Sequence, residues 1–168
     1  MTARVVLVGL PGVGKSTVGQ ALATALDVAF SDVDDLIAAM AGESCASLLR
    51  NKGEAVFRAA EASALAAALS DRAAGVVATG GGAVETESSR ALLASAPLVV
   101  QLTAPPEVLV ARLRGGDRPL LESPTVERFT RLIERRAELY AEVADAVVDA
   151  SAPVQDVVAA LLAVAVPA

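Results

Sequence analysis

Short apolar runs alternate with helical repeats along the whole chain. The run "RVVLVG" at Arg4–Gly9 is typical of a strand buried on both faces of a parallel sheet. From Gly14 to Leu26, apolar residues recur with the spacing of one helical face. The same patterns predict four more strands, "VAF", "GVVATGGG", "PLVVQLT" and "AVVDAS", and helical segments at Leu36–Met40, Cys45–Arg50, Gly53–Leu69, Ser88–Ala94, Pro106–Arg114, Val126–Tyr140 and Val154–Val164.

Strands that alternate with helices predict a doubly wound α/β fold, with three α/β/α layers and a central parallel sheet of about five strands. Ligands of such folds lie beyond the carboxyl ends of the strands. In the helix Gly53–Leu69 we expect Val56, Ala60, Leu65 and Leu69 to face the core. The stretch Gly115–Thr125 is rich in Gly, Pro and charge, lacks apolar periodicity, and predicts a mobile loop.

Composition narrows the class of protein. The 168 residues fit one domain, 1–168, and no apolar stretch is long enough to span a bilayer. The N-terminus has no signal pattern, and the single cysteine, Cys45, excludes an internal disulfide, so we expect a cytoplasmic protein. The net charge of −6 argues against a nucleic-acid or anionic-membrane surface. Since there is no histidine, a general base would have to be a carboxylate or a rarer group.

A phosphate-binding loop stands between the first strand and the first helix. "GLPGVGKST" matches G-x-x-x-x-G-K-[ST] from Gly9 to Ser16. Its backbone N–H groups can surround phosphate oxygens, Lys15 can reach the β- and γ-phosphates, and the Ser16 hydroxyl can bind Mg²⁺. The alternative is a glycine-rich turn with an incidental lysine. The sequence contains no guanine-reading N-K-x-D and is short for a motor ATPase, which favours a small-molecule kinase.

Three carboxylates follow the second strand in "FSDVDD", at residues 30–35. On an extended backbone, Asp32 and Asp34 would share one face because they are two residues apart. Such a cluster could bind a metal, take a proton, cap the next helix or face water. Asp35 would point the other way and serve that helix.

Further motifs occur in a fixed order: G-x-P-G-x-G-K-S-T, D-x-D, G-E-x-x-F-R-x-x-E, G-G-G, R-P-L-L and R-x-x-L-Y. With these motifs the chain strongly resembles the shikimate kinases, small P-loop enzymes of aromatic amino-acid biosynthesis. The resemblance implies a P-loop kinase fold with an acceptor-binding helical region at 32–62 and a mobile lid at 113–125. It also implies transfer of the γ-phosphoryl group of ATP to the 3-hydroxyl of shikimate, giving shikimate 3-phosphate and ADP, in a Mg²⁺-dependent and monomeric enzyme.

The same resemblance implies a role for each matched residue. Lys15 would stabilise the transferring phosphoryl group, Ser16 would bind Mg²⁺ directly, and Asp32 would hold it through water. Asp34 would contact the reacting hydroxyl, and Arg118 would reach the phosphates from the lid. The nucleotide would also touch Gly12, Val13, Gly14 and Thr17, and its adenine would lie between Arg112 and Pro153. The acceptor would touch Phe57, Arg58, Gly80, Gly81, Gly82 and Arg136. Arg58 and Arg136 would clamp the acceptor carboxylate.

Several of these residues have simpler alternatives. Arg58 can pair with Glu61 at i,i+3 and serve only that contact. Because Arg135 and Arg136 are adjacent on a helix, at most one readily points at a given site, and the motif chooses Arg136. Phe57 can be plain core, the triple glycine a tight turn, and Cys45 a small buried apolar residue.

Some positions depart from the family pattern. Cys45 and Leu49 stand where isoleucine and phenylalanine are usual, Glu138 stands where proline is common, and the lid is about a residue short. We expect these changes to alter affinity rather than reaction type. Two other functions stay open: a related kinase of a hydroxylated acid, such as gluconate, and a nucleotide-dependent regulatory module.

Overall fold

A five-stranded parallel sheet forms the centre of the computed structural model, which confirms the predicted α/β class. The structure describes residues 5–71, 73–113 and 124–165. Within these ranges the elements are, in chain order, β1 (Val5–Val8), α1 (Lys15–Leu26), β2 (Ala29–Asp32), α2 (Val33–Ala41), α3 (Cys45–Ser70), β3 (Ala74–Ala78), α4 (Glu87–Ala94), β4 (Val99–Thr103), α5 (Pro106–Leu113), α6 (Val126–Val143), β5 (Ala146–Asp149) and α7 (Val154–Ala165).

The order of strands across the sheet is β2-β3-β1-β4-β5. From β1 the chain runs outward to β2, and from β3 it crosses back over β1 to β4. Because such crossovers are right-handed, α1 lies on one face of the sheet and α3, α4 and α6 lie on the other. The helix contacts agree, since α1 packs on α7, while α4 packs on both α3 and α6. The reversal of direction beside β1 makes its carboxyl end the expected ligand crevice.

The core is built on strands that are covered on both faces. Val5, Val6 and Leu7 of β1 are fully buried, as the continuous apolar run predicts. Leu22 from α1 closes one face, and Phe129 from α6 is buried with it in the same apolar cluster. This rigid centre fixes the carboxyl ends of the strands, from which the loops at the crevice start.

Helix α3 differs from the prediction in its inward face. Gly53 interrupts the helix with a non-helical backbone at φ 84° and ψ 171°. After this break the buried positions are Phe57, Glu61, Ala64, Leu65 and Ala68. Val56, which we expected to face inward, is 45% exposed. The apolar periodicity alone was misleading here because the buried stripe contains a carboxylate, Glu61, in place of an apolar residue.

Arg118 and most of the predicted lid fall in residues 114–123, outside the described residues. Over the part of the chain that the structure describes, none of the helices has the length and apolar character needed to cross a membrane.

Candidate active site

The loop from Gly9 to Gly14 leads from β1 directly into α1. Gly14 is the N-cap of α1 in a left-handed conformation, with φ 99°, and it provides no side-chain cap. The first N–H groups of α1 therefore face the crevice with the positive end of the helix dipole. Lys15 is buried and donates hydrogen bonds to the carbonyls of Gly9 at 2.7 Å and Leu10 at 3.1 Å. The Lys15 ammonium group therefore lies over the phosphate-binding loop itself, and its contact with a phosphate stays a prediction.

Ser16 and Asp32 bring two oxygen ligands together at the mouth of this loop. The Ser16 hydroxyl donates to Asp32 Oδ2 at 2.5 Å, although the two residues belong to different elements. Mg²⁺ prefers oxygen ligands and usually completes its shell with substrate phosphates and water. Among the described residues, no group of three or more His, Cys, Asp or Glu side chains is placed to hold a metal. The pair therefore fits a magnesium ion that is shared with a nucleotide.

The carboxylates of "FSDVDD" are arranged by a helix start and not by an extended strand. Strand β2 runs to Asp32, and α2 begins at Val33. Asp32 is the N-cap, and its Oδ1 accepts a hydrogen bond from the backbone N–H of Asp34 at 2.9 Å. The expectation that Asp32 and Asp34 share a face by strand alternation is therefore wrong. The capping alternative holds for Asp32, which also contacts Ser16, while Asp34 and Asp35 lie in the first turn of α2.

Asp34 nevertheless lies at the glycine turn that follows β3. A Cβ built on Gly80 would stand 3.1 Å from Asp34 Oδ1 and 2.6 Å from Glu61 Oε1. A Cβ on Gly82 would stand 2.5 Å from both terminal nitrogens of Arg58. Only glycine leaves room for these charged groups to approach the backbone so closely. The triple glycine is thus a surface against which charged side chains pack, in addition to being a turn.

Arg58 is held by a buried carboxylate. Its Nη1 donates to Glu61 Oε2 at 2.8 Å, and Glu61 is 1% exposed. Burial raises the pKa of Glu61, which the Arg58 guanidinium partly offsets. Arg58 Nε and Glu61 Oε1 are buried without a hydrogen-bond partner in the described part of the chain. A pair with unsatisfied polar atoms at a crevice suits a polar ligand better than it suits a purely structural contact.

Arg136 approaches the same glycine turn from α6. It is buried, and its Nη1 donates to the carbonyl of Gly81 at 2.5 Å. Its Nε donates to Glu85 Oε1 at 2.6 Å. Arg135, by contrast, has a side chain that is 65% exposed. Of the two adjacent arginines, the one chosen from the motif is the one that faces the crevice.

Two arginines and one aspartate therefore surround a glycine turn beside a phosphate-binding loop. The family model for shikimate kinase matches residues 11–165. The chain belongs to the shikimate kinase family. It is 46% identical to a shikimate kinase of Geobacter sulfurreducens, over 92% of this chain and 86% of that one.

Solved structures give the same assignment. The chain resembles a shikimate kinase from Acinetobacter baumannii in complex with shikimate, with a TM-score of 0.90 and 33% identity over 98% of this chain and 93% of that one. A gluconokinase from Sinorhizobium meliloti is less similar, with a TM-score of 0.56 and 25% identity over 98% of this chain and 94% of that one. The fold is shared with the gluconokinase, but the likeness to the shikimate kinase is much closer.

Around the predicted adenine site, Arg112 connects two loops. Its Nη1 donates to the carbonyl of Val13 at 3.2 Å and its Nη2 to that of Ala150 at 2.9 Å. Pro153 is exposed three residues further along, at the start of α7. Arg112 thus bridges the phosphate-binding loop and the segment that leads to Pro153, and the role of both residues at adenine stays a prediction. Thr17 is exposed in the first turn of α1, next to Ser16.

Of the positions that depart from the shikimate kinase pattern, Cys45 lies beside Asp34. The Cys45 thiol contacts the carbonyl of Asp34 at 3.4 Å. Burial, with the charges of Asp34 and Glu61, raises its pKa to about 12. Leu49, one turn further along α3, is half-buried against the core. Phe57 is 7% exposed and lies in the core cluster, with the Arg58 guanidinium 5.4 Å from its ring centre, so it belongs to the core, and its contact with the acceptor stays a prediction.

The sequence analysis missed two residues of the site. Glu85 accepts hydrogen bonds from Arg136 and, at 2.9 Å, from Arg135. Tyr140 is buried, with its hydroxyl 3.5 Å from the carbonyl of Gly81. A carboxylate three residues after the triple glycine was the available signal for Glu85. The sequence analysis weighed Glu138 instead, which is exposed.

Proposed function

We propose that the chain transfers the γ-phosphoryl group of ATP to the 3-hydroxyl of shikimate, giving shikimate 3-phosphate and ADP. The observation that carries the proposal is that two largely buried arginine side chains, Arg58 and Arg136, both lie against one glycine turn. A planar guanidinium binds both oxygens of a carboxylate, so two of them suit an acidic acceptor.

In this proposal the nucleotide binds at the first turn of α1, with Lys15 on the transferring group. Ser16 and Asp32 hold a Mg²⁺ ion, which supplies positive charge to the phosphates when bound. The acceptor carboxylate lies between Arg58 and Arg136, and its hydroxyl lies at Asp34. The new bond joins the acceptor oxygen to the γ-phosphorus as the bond to the ADP oxygen breaks, and the hydroxyl proton passes to Asp34, to the transferred phosphoryl group or to water. The contribution of the protein is mainly position and charge neutralisation.

A gluconate kinase is the alternative that the fold leaves open. Gluconate also has a carboxylate and hydroxyls, and a gluconokinase shares the fold at a TM-score of 0.56. ADP release should be measured with ATP and Mg²⁺ in the presence of shikimate, of gluconate, or of no acceptor. We expect strong stimulation by shikimate alone. Stimulation by gluconate alone would favour the alternative, and equal release in all three would point to a nucleotide-dependent regulatory module.

Asp34 either removes the hydroxyl proton or only orients the hydroxyl. A loose transition state makes little demand on a base, so we propose orientation as its main contribution. The pH–rate profiles of Asp34→Asn and the parent test this choice. Orientation predicts that Asp34→Asn keeps substantial turnover, with the same pH dependence as the parent. Loss of turnover by about three to four orders of magnitude, together with loss of the acidic limb of the profile, would show that Asp34 is a base.

A further inference from the structure

Glu85 connects the glycine turn to the arginine of α6. Its backbone N–H donates to the carbonyl of Gly82 at 2.9 Å, so the residue belongs to the turn that follows β3. Its side chain reaches α6, 51 residues further along the chain, where Oε1 accepts from Arg136 Nε at 2.6 Å. The carboxylate therefore ties the guanidinium of Arg136 to the same turn whose carbonyl, on Gly81, accepts from Arg136 Nη1.

These two contacts fix the orientation of the guanidinium. Nε is taken by Glu85 and Nη1 by the carbonyl of Gly81. Neither of these two contacts uses Nη2 of Arg136. A planar group that is held at two of its three nitrogens can present the third in only one direction. Tyr140 lies beside this arrangement, since its hydroxyl is 3.5 Å from the carbonyl oxygen of Gly81.

A carboxylate beside the arginine would ordinarily weaken its attraction for an anionic acceptor. Arg135 counters this effect because its Nη2 also donates to Glu85 Oε1, at 2.9 Å. Two guanidinium groups against one carboxylate leave one net positive charge in the cluster. Partial burial opposes ionisation of Glu85, but Arg136 and then Arg135 outweigh it and lower the pKa of Glu85, so the cluster keeps this charge at neutral pH.

We infer that Glu85 is a positioning residue for the acceptor carboxylate: it holds Arg136 by Nε so that Nη2 faces the acceptor, while Arg135 keeps the cluster positive. The inference rests on the proposed function, because it assigns Arg136 to the carboxylate of the acceptor. In this inference the exposed Arg135 has a role next to the buried Arg136, because it offsets the negative charge of Glu85.

The test compares Glu85→Ala and Glu85→Gln with Glu87→Ala, a matched control on an exposed glutamate two residues further along. Misplacement of a substrate-binding group costs up to about 100-fold, so Glu85→Ala should raise KM for shikimate by about 10- to 100-fold. KM for ATP and Tm should change little. Glu85→Gln keeps an oxygen acceptor and should restore most of the affinity. In an Arg136→Ala background, Glu85→Ala should have no further effect on KM for shikimate.

Each other outcome counts against the inference in a distinguishable way. If both Glu85 variants lower KM for shikimate, the Glu85 carboxylate mainly repels the anionic acceptor and does not act as a positioning group. If Tm falls while KM for shikimate stays unchanged, the contact is only structural. If additive effects appear in the Arg136→Ala background, Glu85 acts elsewhere. A parent enzyme that shikimate does not stimulate overturns the proposed function, and the inference falls with it.

Discussion

At the scale of single residues, the site depends on arginines that are buried and held by carboxylates. Arg58 is paired with Glu61, which is 1% exposed, and Arg136 is paired with Glu85. Exposed ion pairs contribute little to stability, whereas a largely buried guanidinium that keeps an unused N–H donor, such as Nε of Arg58, is available to an anionic ligand. Burial therefore distinguishes Arg136 from the other arginines of α6, which are exposed: Arg128, Arg131 and Arg135.

Replacement of Arg136 should change KM for shikimate without changing KM for ATP. Arg136→Ala removes a charged contact to the acceptor, which is worth about 2–3 kcal/mol, so KM for shikimate should rise by roughly two orders of magnitude. KM for ATP should stay nearly unchanged. Arg131→Ala, on an exposed arginine of the same helix, is the control and should leave both constants at the parent values. Steady-state kinetics with each substrate varied in turn measures the effect, and an equal loss of affinity for both substrates would show that Arg136 is misassigned.

Cys45 should behave unlike an ordinary thiol. Its pKa is raised to about 12, chiefly by burial, so at pH 9 only about a thousandth of it is thiolate. Alkylation by iodoacetamide should therefore be slow and should rise about tenfold per pH unit up to pH 10. Because the chain has one cysteine, intact mass reports this reaction directly. The urea-unfolded protein should instead reach a plateau above about pH 8.5, and a similar plateau in the folded protein would contradict the assignment.

At the scale of elements, the phosphate-binding loop and the glycine turn after β3 are in direct contact. A Cβ on Gly81 would lie 2.6 Å from Cγ and 2.8 Å from Cδ of Pro11. The two loops can approach this closely because residue 81 is a glycine and has no side chain. Their contact brings the proposed nucleotide site and the proposed acceptor site next to each other.

Gly81→Ala should therefore damage both sites at once. The added methyl group must push the two loops apart, with an expected loss of about 1–3 kcal/mol in the free energy of unfolding. kcat/KM should fall for ATP and for shikimate together. Gly42→Ala is the control: φ there is +72° and no atom lies within 4 Å, so it should lose about 1 kcal/mol by backbone strain without loss of activity. Urea unfolding and kinetics measure both effects, and full activity in Gly81→Ala would contradict the close contact.

The sequence predicted the elements better than their details. Gly42 ends α2 and Pro106 begins α5, as their types suggest. The prediction that Asp32 and Asp34 of "FSDVDD" share one face of a strand failed because strand and helix meet inside this segment. Asp32 caps α2 while it is still the last residue of β2. Val56 was misplaced because a buried glutamate, Glu61, interrupts the apolar stripe of α3. Both errors arise where a polar side chain takes a structural position that periodicity assigns to an apolar one.

At the scale of the whole molecule, the parallel sheet follows from the alternation of strands and helices, but its order does not. The neighbours of β1 are β3 and β4, and neither is adjacent to β1 in sequence. The contact of Glu85 with Arg136 likewise joins residues 51 positions apart. Motif order could assign Arg58 and Arg136 to one site, because a family resemblance carries such long-range information. A carboxylate outside the motifs, such as Glu85, could be found only from the fold.

The central claim is that this site phosphorylates one particular hydroxyl of shikimate. The most direct test incubates the protein with ATP, Mg²⁺ and shikimate and follows the products by ³¹P–¹H correlation NMR. The account predicts a single phosphorylated product, formed one for one with ADP, in which phosphorus couples to the proton on C3. Phosphate on another hydroxyl, or ADP released with inorganic phosphate and unchanged shikimate, would contradict it.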